Sequence, residues 1–291
     1  MGRSNLLIVT ALAALALAAP SQAVTDADIL NFALNLECLE ATFYSYAAYG
    51  SGLNSTLRGD GPVAIGGKKA MLSSAVQNYA NEVARDEINH VAFLRTALGA
   101  AAVACPQIDV GPGFAAIVKA ALASANMNMT FSPYDDDLDF LLGAFILEDV
   151  GVTAYNGAAP LLESKKNLGA AASIMATEAY HGGIIRTLLY QRGYDMVKPY
   201  SLQTVDFAQK VSNLRATVGG GKDQGITSPM ANGVMNTPYS SNLVPADSNS
   251  LVFARTPTEV LNIVYGGSAA KPGAFYPKGV NGNINGTAST A

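Results

Sequence analysis

The feature that most constrains this chain is the placement of its only two histidines. A glutamate stands three positions before each of them, so that Glu87 precedes His90 and Glu178 precedes His181. Both pairs lie inside long segments with helical periodicity, and residues three apart share one face of a helix. Each of two predicted helices therefore presents a carboxylate and an imidazole to the same side. Such groups are costly in an apolar core unless they find partners there.

Two further glutamates complete a repeating order along the chain. Glu37 and Glu148 each lie in an apolar segment of helical period, seven residues before Tyr44 and Tyr155. Seven residues are close to two turns, so each tyrosine lies on the same stripe as its glutamate. Four-helix carboxylate proteins hold a pair of iron or manganese ions with one glutamate from each of two helices and a Glu-x-x-His motif from each of two others. The pattern resembles the ferritin-like superfamily, whose rubrerythrin and bacterioferritin branches carry such motifs.

Six side chains are the predicted metal ligands. We expect two glutamates to bridge the ions, two to bind terminally and each histidine to bind one ion. Mixed nitrogen and oxygen donors favour two iron or manganese ions, and these cations would offset the cost of burying the carboxylates. The alternative is a site without metal, in which the side chains satisfy one another or are partly solvated. The predicted set is Glu87 and Glu178 as bridges, Glu37 and Glu148 as terminal ligands, and His90 and His181.

Four neighbours of this set have open roles. Glu40 lies one turn from both Glu37 and Tyr44 and is an alternative ligand, although the spacing shared by the two Glu-x6-Tyr segments favours Glu37. Asp86 either orients the histidine of the other motif through a hydrogen bond or is a solvated aspartate. Tyr44 and Tyr155 either pack in the core or act near the site as carriers of protons or electrons.

Composition and charge exclude several classes of protein. The chain is 49% apolar and 14% charged, which provides a large core and excludes disorder driven by charge. Its net charge is −4, and its basic clusters are no longer than two residues. A nucleic-acid binder needs a basic face, so no nucleic-acid partner is expected. The sequence has no phosphate-binding loop, dinucleotide fingerprint or nucleophile elbow.

The first 23 residues have the pattern of a cleavable signal peptide. Arg3 supplies the positive start, residues 6–19 are apolar, and residues 21–23 are suited to cleavage before Val24. The apolar run is shorter than the roughly 20 residues that span a bilayer, so no stable membrane anchor is expected. The sequence therefore predicts a secreted or lumenal protein. Three glycosylation sequons agree with a secreted glycoprotein, at Asn54, Asn128 and Asn285.

The two cysteines, Cys38 and Cys105, leave a choice. In an oxidising compartment they can form one disulfide, because Cys38 lies in the first predicted helix and Cys105 shortly after the second. Two free, buried thiols are the alternative.

The periodicity predicts an all-α architecture. Residues 1–23 are the signal peptide, residues 24–199 form a four-helix bundle with a long crossover, and residues 200–291 form an extension of short helices and loops packed on the bundle. The acidic run at residues 135–139 favours a helix N-terminus rather than a metal-entry patch. Helices are predicted over residues 26–49, 68–98, 114–125, 133–158, 166–192, 202–218 and 257–265.

Three segments sharpen the resemblance. Residues 30–44 (LNFALNLECLEATFY), 251–266 (LVFARTPTEVLNIVYG) and 275–282 (FYPKGVNG) are similar to the plant desiccation-related proteins, which are secreted-type proteins with a ferritin-like domain. The resemblance, from about residue 26 to the end, implies a stress-related role. Together with the ligand pattern, it leads us to expect redox chemistry with oxygen or peroxide, of the ferroxidase, peroxidase or catalase kind. The alternative is a metal-free stress or wall-associated structural protein of the same fold.

Overall fold

The computed structural model describes residues 23–122, 130–228 and 240–286. Residues 1–22 of the predicted signal peptide and the predicted glycosylation site Asn128 lie outside these ranges. Four long helices dominate the described part of the chain: α1 (Asp26–Tyr49), α3 (Ser74–Leu98), α5 (Asp137–Ala158) and α6 (Lys165–Gln191). The shorter elements are α2 (Ser55–Arg58), α4 (Pro112–Ala121), α7 (Thr204–Val218), α8 (Pro257–Val264) and a small antiparallel hairpin of β1 (Met196–Val197) and β2 (Leu202–Gln203).

The long helices form two packed pairs. Helix α1 packs along α3, α5 packs along α6, and α1 also contacts α5. The connection from α3 to α5 runs over residues 99–136 and carries α4, which is the predicted long crossover. The prediction of an all-α four-helix bundle with a long crossover is confirmed.

The two helices of each pair differ in burial. Helices α1 and α5 are buried around almost their whole circumference, whereas α3 and α6 bury only one face each. A helix that is apolar all round requires neighbours on every side. Helices α1 and α5 are therefore the interior of the molecule, and the C-terminal extension covers sides of them that α3 and α6 leave open.

The extension makes specific contacts with both interior helices. The Tyr276 hydroxyl donates to the Asn35 carbonyl at 2.8 Å, and the Arg255 amide donates to the Thr153 carbonyl at 3.0 Å. At Gly157 the approach is so close that a Cβ would lie 1.9 Å from the Arg255 carbonyl oxygen, which only glycine tolerates. The extension is thus closely packed on the bundle, while the division of the chain at residue 200 stays a prediction.

Two predicted helix starts were wrong. Helix α3 begins at Ser74 rather than residue 68, because the Ala70 and Met71 amides donate to carbonyls of distant segments instead of continuing a helix. Helix α5 begins at Asp137 rather than residue 133, because the Asp136 side chain caps it by accepting from the amides of residues 138 and 139. The acidic run thus supplies a helix cap. Helix α4 begins slightly early, at Pro112, and residues 123–125 lie outside the described part.

Cys38 and Cys105 form a disulfide, with their Cα atoms 5.8 Å apart. The bond ties the middle of α1 to the crossover, and both sulfur-bearing residues are buried. No helix in the described ranges combines the length and the apolar character needed to cross a membrane.

Candidate metal centre

The six predicted ligands meet between the four long helices. Each helix contributes from the face that points toward the other pair, and the four glutamates are at most 1% exposed. The histidines lie nearest the surface, with His90 9% and His181 4% exposed. The contributions are Glu37 from α1, Glu87 and His90 from α3, Glu148 from α5, and Glu178 and His181 from α6.

One group of donors surrounds His90. Its Nδ1 atom lies 3.1 Å from Glu37 Oε2, 3.4 Å from Glu87 Oε2 and 3.4 Å from Glu178 Oε1. These four residues offer ligand atoms that all lie within 4.8 Å of one another. A single cation at their centre would contact three carboxylates and one imidazole.

A second group of donors surrounds His181. Its Nδ1 atom lies 3.0 Å from Glu87 Oε1 and 3.6 Å from Glu148 Oε2. Glu87 belongs to both groups and offers one oxygen to each, which is the geometry of a bridging carboxylate. Glu178, expected as the second bridge, is grouped only with His90. The two imidazole rings are 6.4 Å apart, so the donor set has two centres.

Tyr44 and Tyr155 each form a hydrogen bond with a glutamate of the other interior helix. The Tyr155 hydroxyl of α5 donates to Glu37 Oε1 of α1 at 2.5 Å, and the Tyr44 hydroxyl of α1 donates to Glu148 Oε1 of α5. Burial, and then the facing carboxylate, raise the pKa of each phenol well above its ordinary value. Both tyrosines therefore remain protonated donors, and each fixes one oxygen of a glutamate. The second oxygen of Glu37 contacts His90 Nδ1 at 3.1 Å, and the second oxygen of Glu148 has no hydrogen-bond partner.

Asp86 contacts the histidine of the other motif. Its Oδ2 atom lies 3.4 Å from His181 Nε2, on the side of the ring opposite the carboxylate cluster. Such a contact holds the ring orientation and directs Nδ1 toward the site. The corresponding position in α6 is Thr177, whose hydroxyl donates to the carbonyl of Ser173 in its own helix. The surroundings of the two histidines are therefore unequal.

Glu40 is a fifth buried carboxyl beside the six ligands. Burial and then the charge of Glu178 raise the pKa of Glu40 well above its ordinary value. It belongs to neither donor group of the described residues. A Cβ built on Gly151 would lie 2.7 Å from Glu178 Oε2 and 3.2 Å from Glu40 Oε1. Because Gly151 has no side chain, it leaves the space that both carboxylates occupy.

Without a cation, protons hold this cluster together. Burial and the charge of Glu87 raise the pKa of Glu37 to about 7. Burial alone would raise the pKa of Glu87, but the imidazoles of His181 and His90 outweigh burial and lower that pKa to about 2. Burial lowers the pKa of His181, yet Glu148 and Glu87 outweigh it and raise the pKa to about 12. A metal ion needs the neutral imidazole, so it must displace these protons.

The donor set fits a pair of cations because many of its atoms have no other partner. Nine side-chain nitrogen and oxygen atoms in the described residues are buried without a hydrogen-bond partner, and six of them belong to this site. Although His181 Nδ1 lies close to Glu87, the contact lacks hydrogen-bond geometry. One Nδ1 hydrogen on His90 can serve only one carboxylate, and it serves Glu37. The six atoms are both oxygens of Glu87, both oxygens of Glu178, Glu148 Oε2 and His181 Nδ1.

The sequence analysis missed a chain of buried charges beside the site. Asp149, the residue after Glu148, accepts from Arg186 at 2.7 Å and from Arg215 at 2.9 Å. Asp223 accepts from Arg215 at 2.9 Å and from Arg255 at 2.8 Å. The available signal was an arginine within an apolar stripe of α6 and of α7, but their shared partner Asp149 is remote in sequence from both.

The fold and the site together define a ferritin-like protein with a buried carboxylate and histidine cluster. A family model for the ferritin-like domain matches residues 25–191. The desiccation-related protein PCC13-62 of Craterostigma plantagineum is 34% identical over 264 residues, which cover 89% of this chain and 83% of the relative. The ferritin-like catalase Nec2 of Nesocodon mauritianus is 33% identical over 266 residues, covering 89% and 84%. The chain belongs to the ferritin-like family, in the branch that includes desiccation-related proteins.

Proposed function

We propose that this protein binds two iron or manganese ions and consumes hydrogen peroxide in a catalase-like reaction. The observation that carries the proposal is the two-centred donor set that shares Glu87 and contains six buried atoms without partners. The similarity to a protein named as a ferritin-like catalase supports the choice of reaction. Bound at these residues, a pair of such metals would supply two-electron redox chemistry, in which two peroxide molecules give two waters and one dioxygen.

The chain's own residues would prepare the site for a small oxidant. All six ligands are buried, and only His90 and His181 approach the surface, so access is restricted to molecules of a few atoms. Tyr44 and Tyr155 fix the terminal glutamates by hydrogen bonds from protonated phenols. Glu40, a buried carboxyl beside Glu178, is placed to hold a proton within the site.

Metal analysis and oxygen measurements test the proposal. We expect about two equivalents of iron or manganese in protein from its native host, and dioxygen release when hydrogen peroxide is added. Glu87→Gln should lose both metal and oxygen release, because Glu87 serves both centres. Glu82→Gln, on an exposed part of the same helix, is the matched control and should retain both.

Different outcomes separate the candidate functions. Dioxygen uptake on addition of iron(II), without dioxygen release from peroxide, would favour a ferroxidase-like reaction instead. No bound metal after careful loading would refute the proposal and favour the metal-free stress or wall-associated protein, which the name of the desiccation-related relative leaves open.

We further propose that the protein is secreted, after removal of residues 1–23, and glycosylated. A disulfide between Cys38 and Cys105 supports an oxidising compartment. Asn54 is exposed immediately before α2, so a glycan attached there would extend into solvent. N-terminal sequencing of the mature protein should begin at Val24. A mass shift on enzymatic removal of N-glycans should depend on Asn54, and an unprocessed N-terminus would contradict the proposal.

A further inference from the structure

The five buried charges beside the site form one continuous chain of alternating sign. Arg186, Asp149, Arg215, Asp223 and Arg255 follow one another with nitrogen–oxygen distances of 2.7, 2.9, 2.9 and 2.8 Å. The three arginines are at most 1% exposed, and the aspartate side chains are 8% and 1% exposed. Arginine remains charged in proteins. Three positive and two negative groups leave one uncompensated positive charge in the interior.

This chain of charges lies directly behind the metal site. Asp149 is bonded through the backbone to the ligand Glu148, and Gly182, next to the ligand His181, faces both of them. A Cβ on Gly182 would lie 3.7 Å from Asp149 Oδ1 and 3.8 Å from Glu148 Cβ. The guanidinium of Arg215 also lies 4.4 Å from the centre of the Phe145 ring, one turn before Glu148. Buried charges are weakly screened, so the excess charge acts on the site.

A loaded site offers no net charge to balance this excess. The four ligand glutamates would carry four negative charges when ionised, and two divalent ions would carry four positive charges. The excess positive charge of the arginine–aspartate chain therefore repels the bound cations without a counter-charge at the ligands. Three of the five charged groups belong to α7 or to segments that follow it, so the C-terminal extension contributes most of this charge.

We propose that the chain Arg186–Asp149–Arg215–Asp223–Arg255 tunes the metal centre electrostatically, with its excess positive charge setting the affinity for divalent cations and opposing oxidation of the bound ions. The inference rests on the proposed metal site. It gives the extension a functional role, because Asp223 and Arg255 set the net charge from outside the four-helix bundle. Removing one arginine should strengthen cation binding, and removing one aspartate should weaken it.

Two substitutions change the net charge in opposite directions. Arg215→Met leaves two balanced pairs, Arg186 with Asp149 and Arg255 with Asp223, so each carboxylate keeps a guanidinium. Asp223→Asn instead raises the excess to two positive charges. We expect the Kd for manganese(II), measured by equilibrium dialysis, to fall in Arg215→Met and to rise in Asp223→Asn, each on the order of tenfold. Arg192→Met removes a partly exposed arginine that follows α6 and pairs with Asp195, and it should leave the Kd unchanged.

A purely structural role gives a different result. If the charges only held the extension in place, both substitutions would loosen the site and raise the Kd, and that outcome would overturn the inference, as would an unchanged Kd in both. Should Asp223→Asn fail to fold, Arg255→Met decides, because it also removes one positive charge and must lower the Kd. Absence of manganese binding by the wild-type protein would instead refute the proposed function, which keeps the two failures distinct.

Discussion

Replacing Gly151 with alanine should separate the stability of the bundle from its capacity to bind metal. Gly151 lies on α5, three residues after the ligand Glu148. A Cβ at this position would lie 2.7 Å from Glu178 Oε2, whereas ordinary contacts begin at 3.4 Å. The Glu178 oxygen must therefore move by about 0.7 Å, the difference between these two distances. Glu40 Oε1, at 3.2 Å, must also move slightly.

Folding and metal binding differ in how much displacement of the Glu178 carboxylate they tolerate. The displaced atoms are the ends of flexible side chains, so the fold loses little, and alanine in place of glycine inside a helix favours folding by about 1 kcal/mol. Metal–ligand distances, however, hold to within about 0.2 Å. Changes to groups that orient ligands cost about 10- to 100-fold in metal affinity. We expect Gly151→Ala to bind manganese(II) at least about 10-fold more weakly, with a free energy of unfolding equal to or above that of the wild type.

Two assays and one control test this reasoning. Equilibrium dialysis gives the manganese(II) affinity, and chemical denaturation of the metal-free protein gives the free energy of unfolding. Gly169→Ala on α6 is the control, because a Cβ there meets no atom within 4 Å. It should stabilise the protein by up to about 1 kcal/mol and leave metal binding unchanged. Unchanged affinity in Gly151→Ala would refute the assignment of Glu178 to the metal site.

Three further predictions concern stability and protons. The double substitution of Cys38 and Cys105 by alanine should lower the free energy of unfolding by about 4 kcal/mol, because the disulfide closes a loop of 67 residues; a loss below about 1 kcal/mol in chemical denaturation would contradict it. Burial and the charges of Asp136 and Asp135 raise the pKa of Asp139 to about 7, above its unfolded value of 3.8. Below about pH 4 Asp139 is protonated in both states and does not lower the free energy of unfolding, whereas above about pH 7 its ionisation lowers that free energy by the full amount. Asp139→Asn should therefore stabilise the protein at pH 8 by about 1–2 kcal/mol, a value discounted for solvent screening, and not at pH 3; equal effects at both pH values would exclude this cause. Contacts with Glu148 and Glu87 raise the pKa of His181 to about 12 in the metal-free protein, so manganese(II) binding at pH 7 should release protons and strengthen as the pH rises. Calorimetry in buffers of different ionisation enthalpy measures this release, and binding heats that do not depend on the buffer would contradict it.

The sequence predicted most where the chemistry depends on positions within one helix. The spacing of Glu87 and His90 places both on one face of α3 whatever the rest of the fold, and the same holds for Glu178 and His181 in α6. The structure brings these faces together with Glu37 and Glu148. The contact of Asp86 with His181 also lies where the sequence analysis considered it. The sequence predicted two bridging carboxylates, Glu87 and Glu178, whereas the geometry places only Glu87 in both donor groups of the described residues. Bridging depends on the offset of each helix along its neighbours, which positions within one helix do not determine.

Tertiary contacts decided the features that the sequence could not provide. Residues 68–73 were predicted to be helical, but the amides of Ala70 and Met71 donate to the carbonyls of Ala47 and Tyr134, so α3 begins later. The role of Gly151 depends on carboxylates from two other helices. The pairing of Arg215 with Asp149 joins residues 66 positions apart, and no local pattern encodes such a distance.

The two buried charge clusters of this protein allow a direct comparison of carboxylates with and without hydrogen bonds. In the arginine–aspartate chain, Asp149 and Asp223 each contact two guanidinium groups, which is how buried carboxylates are stabilised without metal. In the glutamate–histidine cluster, Glu87 and Glu178 are equally buried, yet none of their four oxygens has a hydrogen-bond partner. The glutamate oxygens face the two imidazoles without hydrogen bonds, and a pair of cations would supply the compensation that the guanidinium groups give to the aspartates. This contrast within one molecule favours the dinuclear centre over the metal-free scaffold.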